Sequence, residues 1–342
     1  MCLLRQTVSA LWWCIALVTA AGAAESTTPS ASAIEAMSRA FARASASVVG
    51  LKSIAVDDAR SAATLGRARE GSGVVIDGGL VLTIGYLILE ADQVLLATDD
   101  DRQVPARVIG YDVATGFGLV QPLAPLRIDP VPFGIAADLV GTDPLVVVSG
   151  GEDGAVSVAE LVSRRPFSGY WEYHVDGALF TSPARTDHSG AGLFNGRGEL
   201  VGVGSLLVSD ALGPREARLS GNMFVPIDLL KPIFEELRSS GSSRQSRRAW
   251  IGVNCVETEA GVRIVRVNTD SPADVAGLEP GDRIVRIDGV EVKVLEVLWK
   301  TLWSGGLPER EVTLDIQRDG RAQTLKLQSV DRMKTLKRAQ GI

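Results

Sequence analysis

Histidine is almost absent from this sequence, with His174 and His188 the only two. Cysteine is nearly as scarce: Cys2 and Cys14 lie near the N-terminus and Cys255 stands alone thereafter. The two shortages leave no Cys/His spacing suited to zinc, and no disulfide framework once the N-terminal segment is set aside. Cys255, in an apolar run, reads as a small core residue. Positive charge is also in deficit, because 35 Lys and Arg against 41 Asp and Glu give a net charge of -6. Nucleic-acid binding needs clustered cations to neutralise phosphates, so no nucleic-acid partner is expected. The basic cluster Arg332, Lys334, Lys337 and Arg338 reads as a solvated tail. Gly71-Ser72-Gly73 is too short for a phosphate-cradling loop and sits in a hairpin context, so neither a metal nor a cofactor is expected.

Long apolar runs are confined to the N-terminus. Arg5 precedes an apolar stretch from 8 to 21, followed by Ala21-Gly22-Ala23-Ala24 and then by polar residues. This pattern reads as a secretory signal peptide over 1–24. The alternative is an uncleaved anchor, for which the run is short against the ~20 residues a span requires. An exported protein of the periplasm or cell envelope is expected.

The remaining chain is rich enough in apolar residues, at 46% overall, to fill more than one core. A loose segment and short helix are expected over 25–46, with Ile34, Met37 and Phe41 at helical spacing. From 47 to 238 the pattern is one of short β runs, among them 47–52, 73–76, 80–83, 94–97, 107–110, 145–149, 156–162, 171–175 and 200–207. Gly-rich turns separate them, as expected of a sandwich or barrel. A helix with Asp228 as N-cap is expected over 229–237. Residues 239–248, Ser239-Ser240-Gly241-Ser242-Ser243-Arg244-Gln245-Ser246-Arg247-Arg248, read as a linker with nothing to bury. A compact second domain follows over 249–330, and the tail occupies 331–342. Its miniature helix carries Ser271 as N-cap, Pro272 at the first position and Gly277 at the stop.

Trp250-Ile251-Gly252-Val253, Ser271-Pro272-Ala273, Ala276-Gly277-Leu278 and Gly281-Asp282-Arg283-Ile284-Val285 stand in the order and spacing of a PDZ domain of the HtrA type. The resemblance covers nearly all of 249–330. It implies β-augmentation, in which a peptide adds to a sheet edge and its C-terminal carboxylate rests on backbone N–H groups. By the same resemblance Trp250, Ile251, Gly252 and Val253 form the carboxylate loop, Gly252 giving close approach and Ile251 and Val253 lining an apolar pocket. The alternative is that these are ordinary strand residues.

Upstream, Gly71-Ser72-Gly73-Val74-Val75-Ile76-Asp77, Arg107-Val108-Ile109-Gly110-Tyr111-Asp112, Leu200-Val201-Gly202-Val203 and Met223-Phe224-Val225-Pro226-Ile227 resemble the HtrA-type protease domain. A mainly β protein is therefore expected, a chymotrypsin-like double β-barrel followed by a small α+β PDZ domain. The chemistry of that fold needs a serine, a histidine and a carboxylate. Leu82-Thr83-Ile84-Gly85-Tyr86-Leu87 carries Tyr86 where the histidine belongs, and Thr115-Gly116-Phe117-Gly118-Leu119 carries Gly116 where the aspartate belongs. Asp112 matches a non-catalytic position in the preceding turn. In Asp187-His188-Ser189-Gly190-Ala191-Gly192-Leu193 the nucleophile Ser189 is retained, while Asp187 replaces an oxyanion-loop glycine and sets a carboxylate where negative charge should be stabilised. His188 adjoins Ser189 in sequence, and His174 reads as a sheet-surface residue.

Three functions follow. The first is a catalytically degenerate, peptide-binding scaffold or quality-control accessory that captures C-termini or extended segments of other proteins. The second is an active serine endopeptidase using Ser189 with a non-standard base. The third is a regulatory subunit of an active HtrA-type protease. A homo-oligomer, a trimer by family resemblance, is a further expectation.

Overall fold

The computed structural model describes residues 30–100 and 102–337. The expected signal peptide and Arg338 lie outside the described residues. The chain opens with α1 (Ala31–Ala46), whose N-cap Ser30 accepts the Ala33 N–H. Six strands then close into a barrel: β1 (Val48–Ala55), β2 (Ala68–Ile76), β3 (Leu80–Ile84), β4 (Ala91–Ala97), β5 (Gln103–Tyr111) and β6 (Phe117–Pro122). A short helix, α2 (Ala62–Leu65), bridges β1 and β2. The second barrel holds β7 (Leu145–Val148), β8 (Val156–Ser168), β9 (His174–Ser182), β10 (Gly192–Asn195), β11 (Leu200–Val208) and β12 (Gly221–Pro226). The strand orders are β1-β2-β3-β6-β5-β4 and β10-β11-β12-β9-β8-β7, the same circuit twice. Closure removes the exposed edges that an open sheet of this length would present. One apolar cluster runs through both barrels, from Leu51, Leu82 and Phe117 to Phe180, Phe194 and Met223. Full burial of each such side chain contributes about 1.5–3 kcal/mol.

The helix expected over 229–237 breaks in two. A single 3-10 turn covers Ile227–Leu229, and α3 (Phe234–Ser240) starts only later. Pro232 is the cause, since it disfavours helical backbone at the residue before it. Asp228 caps no α-helix; its carboxylate instead accepts the Ala137 N–H at 2.8 Å.

The second domain contains β13 (Ala249–Trp250), β14 (Val253–Thr258), β15 (Gly261–Val267), α4 (Pro272–Val275), β16 (Arg283–Ile287), β17 (Val290–Glu291), α5 (Leu295–Ser304), β18 (Glu311–Arg318), β19 (Arg321–Gln328) and β20 (Val330–Asp331). Its main sheet is ordered β14-β15-β16-β18-β19, so β14 is an edge strand, and β13 pairs separately with β20. Leu298, Trp299 and Leu302 of α5 are fully buried among Ile251, Val253, Cys255 and Ile264.

Two segments read as solvated are docked. In the linker, Ser243 and Ser246 are buried because both hydroxyls donate to one oxygen of Asp112. Of the basic tail, Arg332 lies 4.9 Å over the Trp250 ring, and the Lys337 N–H donates to Glu90 on the first barrel at 2.9 Å. The strand expected over 171–175 is also displaced. β9 begins at His174, and residues 169–173 form a hairpin tip closed by the Gly169 N–H on Tyr173 O at 2.9 Å.

Candidate functional site

The 3-10 turn Gly85–Leu87 leaves β3 and carries Tyr86, while the turn before β10 carries Ser189. The two turns meet at the barrel seam, where the Ser72 N–H donates to Ser189 O at 2.8 Å. Tyr86 Oη lies 2.7 Å from Ser189 Oγ and 2.8 Å from the Ser205 carbonyl oxygen. A phenol has one proton, and a carbonyl can only accept. Both contacts are therefore satisfied when Tyr86 donates to Ser205 and Ser189 donates to Tyr86. Burial pushes the Tyr86 pKa up to about 12, against a smaller opposing pull from Ser189. Near neutrality the partner of the serine is a neutral phenol, which cannot take its proton.

Gly116 adopts φ +86, and a Cβ placed on it would stand 2.9 Å from Tyr173 Oη. That hydroxyl donates to Thr115 O at 2.7 Å, and Tyr173 is buried. The space a carboxylate side chain would enter from this turn is thus filled by a phenol. Asp112 is fully committed elsewhere. One oxygen accepts the N–H and hydroxyl of Thr115, at 2.8 and 2.6 Å, and the other accepts the linker serines Ser243 and Ser246.

The Asp187 carboxylate turns to Arg185, whose Nε donates at 2.9 Å, and to the Ser149 hydroxyl. Desolvation would raise its pKa, but the hydrogen bonds from Arg185 and Ser149, the Arg185 charge and the residue's own backbone N–H together hold it low. His188 Nδ1 lies 2.9 Å from Arg185 O, so Nδ1 carries the proton in that contact. Burial is the largest influence on His188 and lowers its pKa. His174 is not a surface residue of the sheet. It is buried at the seam with the second domain, bonded to Ser168 Oγ at 2.8 Å and Asp176 Oδ1 at 3.1 Å. Among the described residues neither histidine bonds Ser189 Oγ; Tyr86 does.

The second site lies in the PDZ-like domain. The N–H groups of Ile251, Gly252 and Val253 converge on Glu172 Oε1 at 3.2, 2.7 and 3.2 Å. Glu172 belongs to the 169–173 hairpin tip of the second barrel. The same tip reaches the edge strand, where the Cys255 N–H donates to Tyr170 O at 2.6 Å, and the helix, where Trp299 Nε1 donates to Gly169 O at 3.0 Å. Glu172 keeps intermediate exposure as a residue. Desolvation is nonetheless the largest influence on its carboxyl and raises the pKa to about 7, against Arg332 and the three N–H groups.

With the hairpin tip in place, Ile251 and Val253 are buried at 0% and 2% exposure and meet the tip through their N–H groups. Trp250 packs under Arg332. Gly252 is required by its φ of +89 and by Ser271, whose Cβ would sit 2.2 Å from an added Cβ, and not by ligand approach alone. Sequence reasoning missed Glu172 altogether. Gly169 between two β runs is a hairpin signal, but no local pattern names the partner of a distant carboxylate.

Residues 71–203 match the trypsin-like peptidase domain and residues 249–328 the PDZ domain. The chain is similar to a probable periplasmic serine endoprotease, DegP-like, of Ectopseudomonas mendocina, 28% identical over 282 residues that cover 77% of this chain and 57% of that protein. It is also similar to the putative serine protease HhoA of Synechocystis sp., 26% identical over 292 residues that cover 77% of this chain and 71% of that one. The chain spans about half the length of the DegP-like relatives it matches. Among solved structures, the HtrA-type protease AlgW with decapeptide aligns with a TM-score of 0.54 at 19% identity, over 86% of this chain and 98% of that one. A serine endoprotease from Yersinia pestis aligns with a TM-score of 0.53 at 20% identity, over 89% and 99%.

Proposed function

The chain belongs to the HtrA-type family, in which a trypsin-like peptidase domain precedes a PDZ domain, and from that premise we propose that it is a peptide-binding protein of the periplasm whose barrel no longer cleaves. The observation that carries this reading is the partner of Ser189, a phenol 2.7 Å away in place of an imidazole. The missing carboxylate at Gly116 and the Asp187 side chain held by Arg185 point the same way. Fold alone does not carry chemistry, so relatives named as endoproteases supply the framework and not the activity.

On the binding side, the three convergent N–H groups of Ile251 to Val253 and the edge strand β14 suit an extended peptide ending in a carboxylate. The AlgW structures are titled with bound tripeptide and decapeptide, which supports the same use here. The barrel acts as a scaffold and, as the family resemblance implies, as the face on which copies of this chain or an active relative assemble. The periplasmic names of relatives support the same compartment.

A second reading keeps Ser189 as a working nucleophile, favoured by its retained hydroxyl at the seam with intermediate exposure. Incubation of the purified chain with reduced, alkylated albumin, beside a Ser189→Ala control, separates the two. The expected result is no cleavage in either. Cleavage that vanishes in the control overturns the non-catalytic reading.

A further inference from the structure

The hairpin tip at 169–173 meets the second domain as an extended peptide would. Its backbone carbonyl at Tyr170 accepts from the edge strand β14. Its Gly169 carbonyl accepts from Trp299 on α5, so the tip lies between the strand and the helix. Its Glu172 carboxylate takes all three N–H groups of the loop. Yet the tip is no chain end: β8 and β9 continue the chain on either side, paired through Phe167↔Val175 and Ser168↔His174. The carboxylate is a side chain doing the work of a terminus.

We propose that residues Gly169–Glu172 are a built-in ligand of the groove, Glu172 standing in for a C-terminal carboxylate, so that an outside peptide with a free C-terminus binds by displacing this tip. The inference rests on the groove reading given above and adds the competitor. Its consequence is quantitative. A ligand that binds only the open form sees its affinity lowered by the fraction open, and a tethered competitor acts at a high effective concentration. Partners with high local concentration or many tails are favoured over single dilute peptides. Tyr173 follows Glu172 directly and donates to Thr115 O beside Gly116, so the occupied groove and the vacated triad turn share one contiguous set of contacts.

The test uses the full chain, immobilised, and a decapeptide pool randomised at its last three positions, offered with free carboxyl ends and, separately, C-terminally amidated. Glu172→Ala is expected to retain about tenfold more of the free-carboxyl pool than wild type, whereas Glu172→Gln, a neutral acceptor of the same shape, is expected to retain no more than wild type. The amidated pool is expected to be retained weakly by all three. Equal retention of the free pool by wild type and both variants overturns the built-in ligand while leaving the groove intact. Equal retention of the free and amidated pools by Glu172→Ala, or none of either, overturns the groove reading itself. Should Glu172→Ala fail to fold, the shorter Glu172→Asp, whose carboxylate falls short of the loop, takes its place, with amide exchange at Gly252 and Val253 as the second readout. Faster exchange than in wild type is expected, and unchanged exchange counts against the proposal.

Discussion

The hydroxyl of Tyr173 stands 2.9 Å from the point where any side chain on Gly116 would begin. The turn at Gly116 therefore leaves no room for a side chain of its own. With φ at +86, the backbone there also disfavours every residue with a Cβ. Gly116→Asp is expected to lower stability by about 1–3 kcal/mol, and the double variant Tyr86→His with Gly116→Asp to leave albumin uncleaved. Urea unfolding and a cleavage assay check the two parts. Tyr173→Phe added to the pair relieves the clash but not the backbone strain, so only part of the stability is expected to return.

Tyr86 bridges Ser189 and Ser205, and the bridge makes separable demands. Tyr86→Phe leaves the Ser189 hydroxyl and the Ser205 carbonyl without their shared partner in a half-buried seam. It is expected to cost about 1–3 kcal/mol. Ser189→Ala removes one bond while Tyr86 keeps Ser205, so about 0.5–1.5 kcal/mol is expected. Chemical denaturation of both variants checks the ordering. Serine-directed phosphonates are expected to leave wild-type Ser189 unmodified by mass spectrometry.

Much of this arrangement was readable from residue order. The two barrels follow from short apolar runs set between glycine turns, and Tyr86 and Gly116 stand out as departures within an otherwise matching frame. What could not be read was long-range polar pairing. Ser243 and Ser246 look like linker residues until Asp112, more than 130 positions upstream, is found beneath them. Glu172 looks like a strand residue until three N–H groups 79 to 81 positions downstream are found on its carboxylate. Hydrophobic periodicity reports which face of an element is buried; it carries no information on which distant donor meets a given acceptor. Pro232 is the opposite case, a local signal that marks where the helix breaks.

Asp112 fastens the linker to the first barrel. Its replacement by Ala strands two buried serine hydroxyls and the Thr115 N–H together. A loss of about 2–4 kcal/mol is expected, as for other broken buried networks. The more specific outcome is local. Arg244 and Arg247 flank Ser246, so Asp112→Ala is expected to be nicked by trypsin in the 244–248 segment at protease levels that leave wild type intact. Limited proteolysis read by mass spectrometry checks this, and cleavage at the same rate in both proteins sinks the clamp.

The closed groove should also answer to pH, with a sign fixed by Glu172. In place, its pKa is about 7, raised chiefly by desolvation; displaced into solvent, it returns toward the ordinary value of 4.5. The closed form thus holds a proton that the open form has released, and between these two values closure weakens as pH rises. Closure is strongest below about 4.5 and levels off above about 7. The charged neighbour that opposes this is Arg332, over Trp250. Cys255 on the facing strand is pushed far upward by burial and stays protonated throughout. Retention of a free-carboxyl peptide is expected to climb between pH 5 and 7 and then flatten, since the peptide's own terminus, with a pKa of about 3.3–3.7, is charged across that window. Glu172→Gln should flatten the whole profile, and Arg332→Ala should move the rise to higher pH. A wild-type profile that is flat, or that falls with pH, would place the titrating group elsewhere.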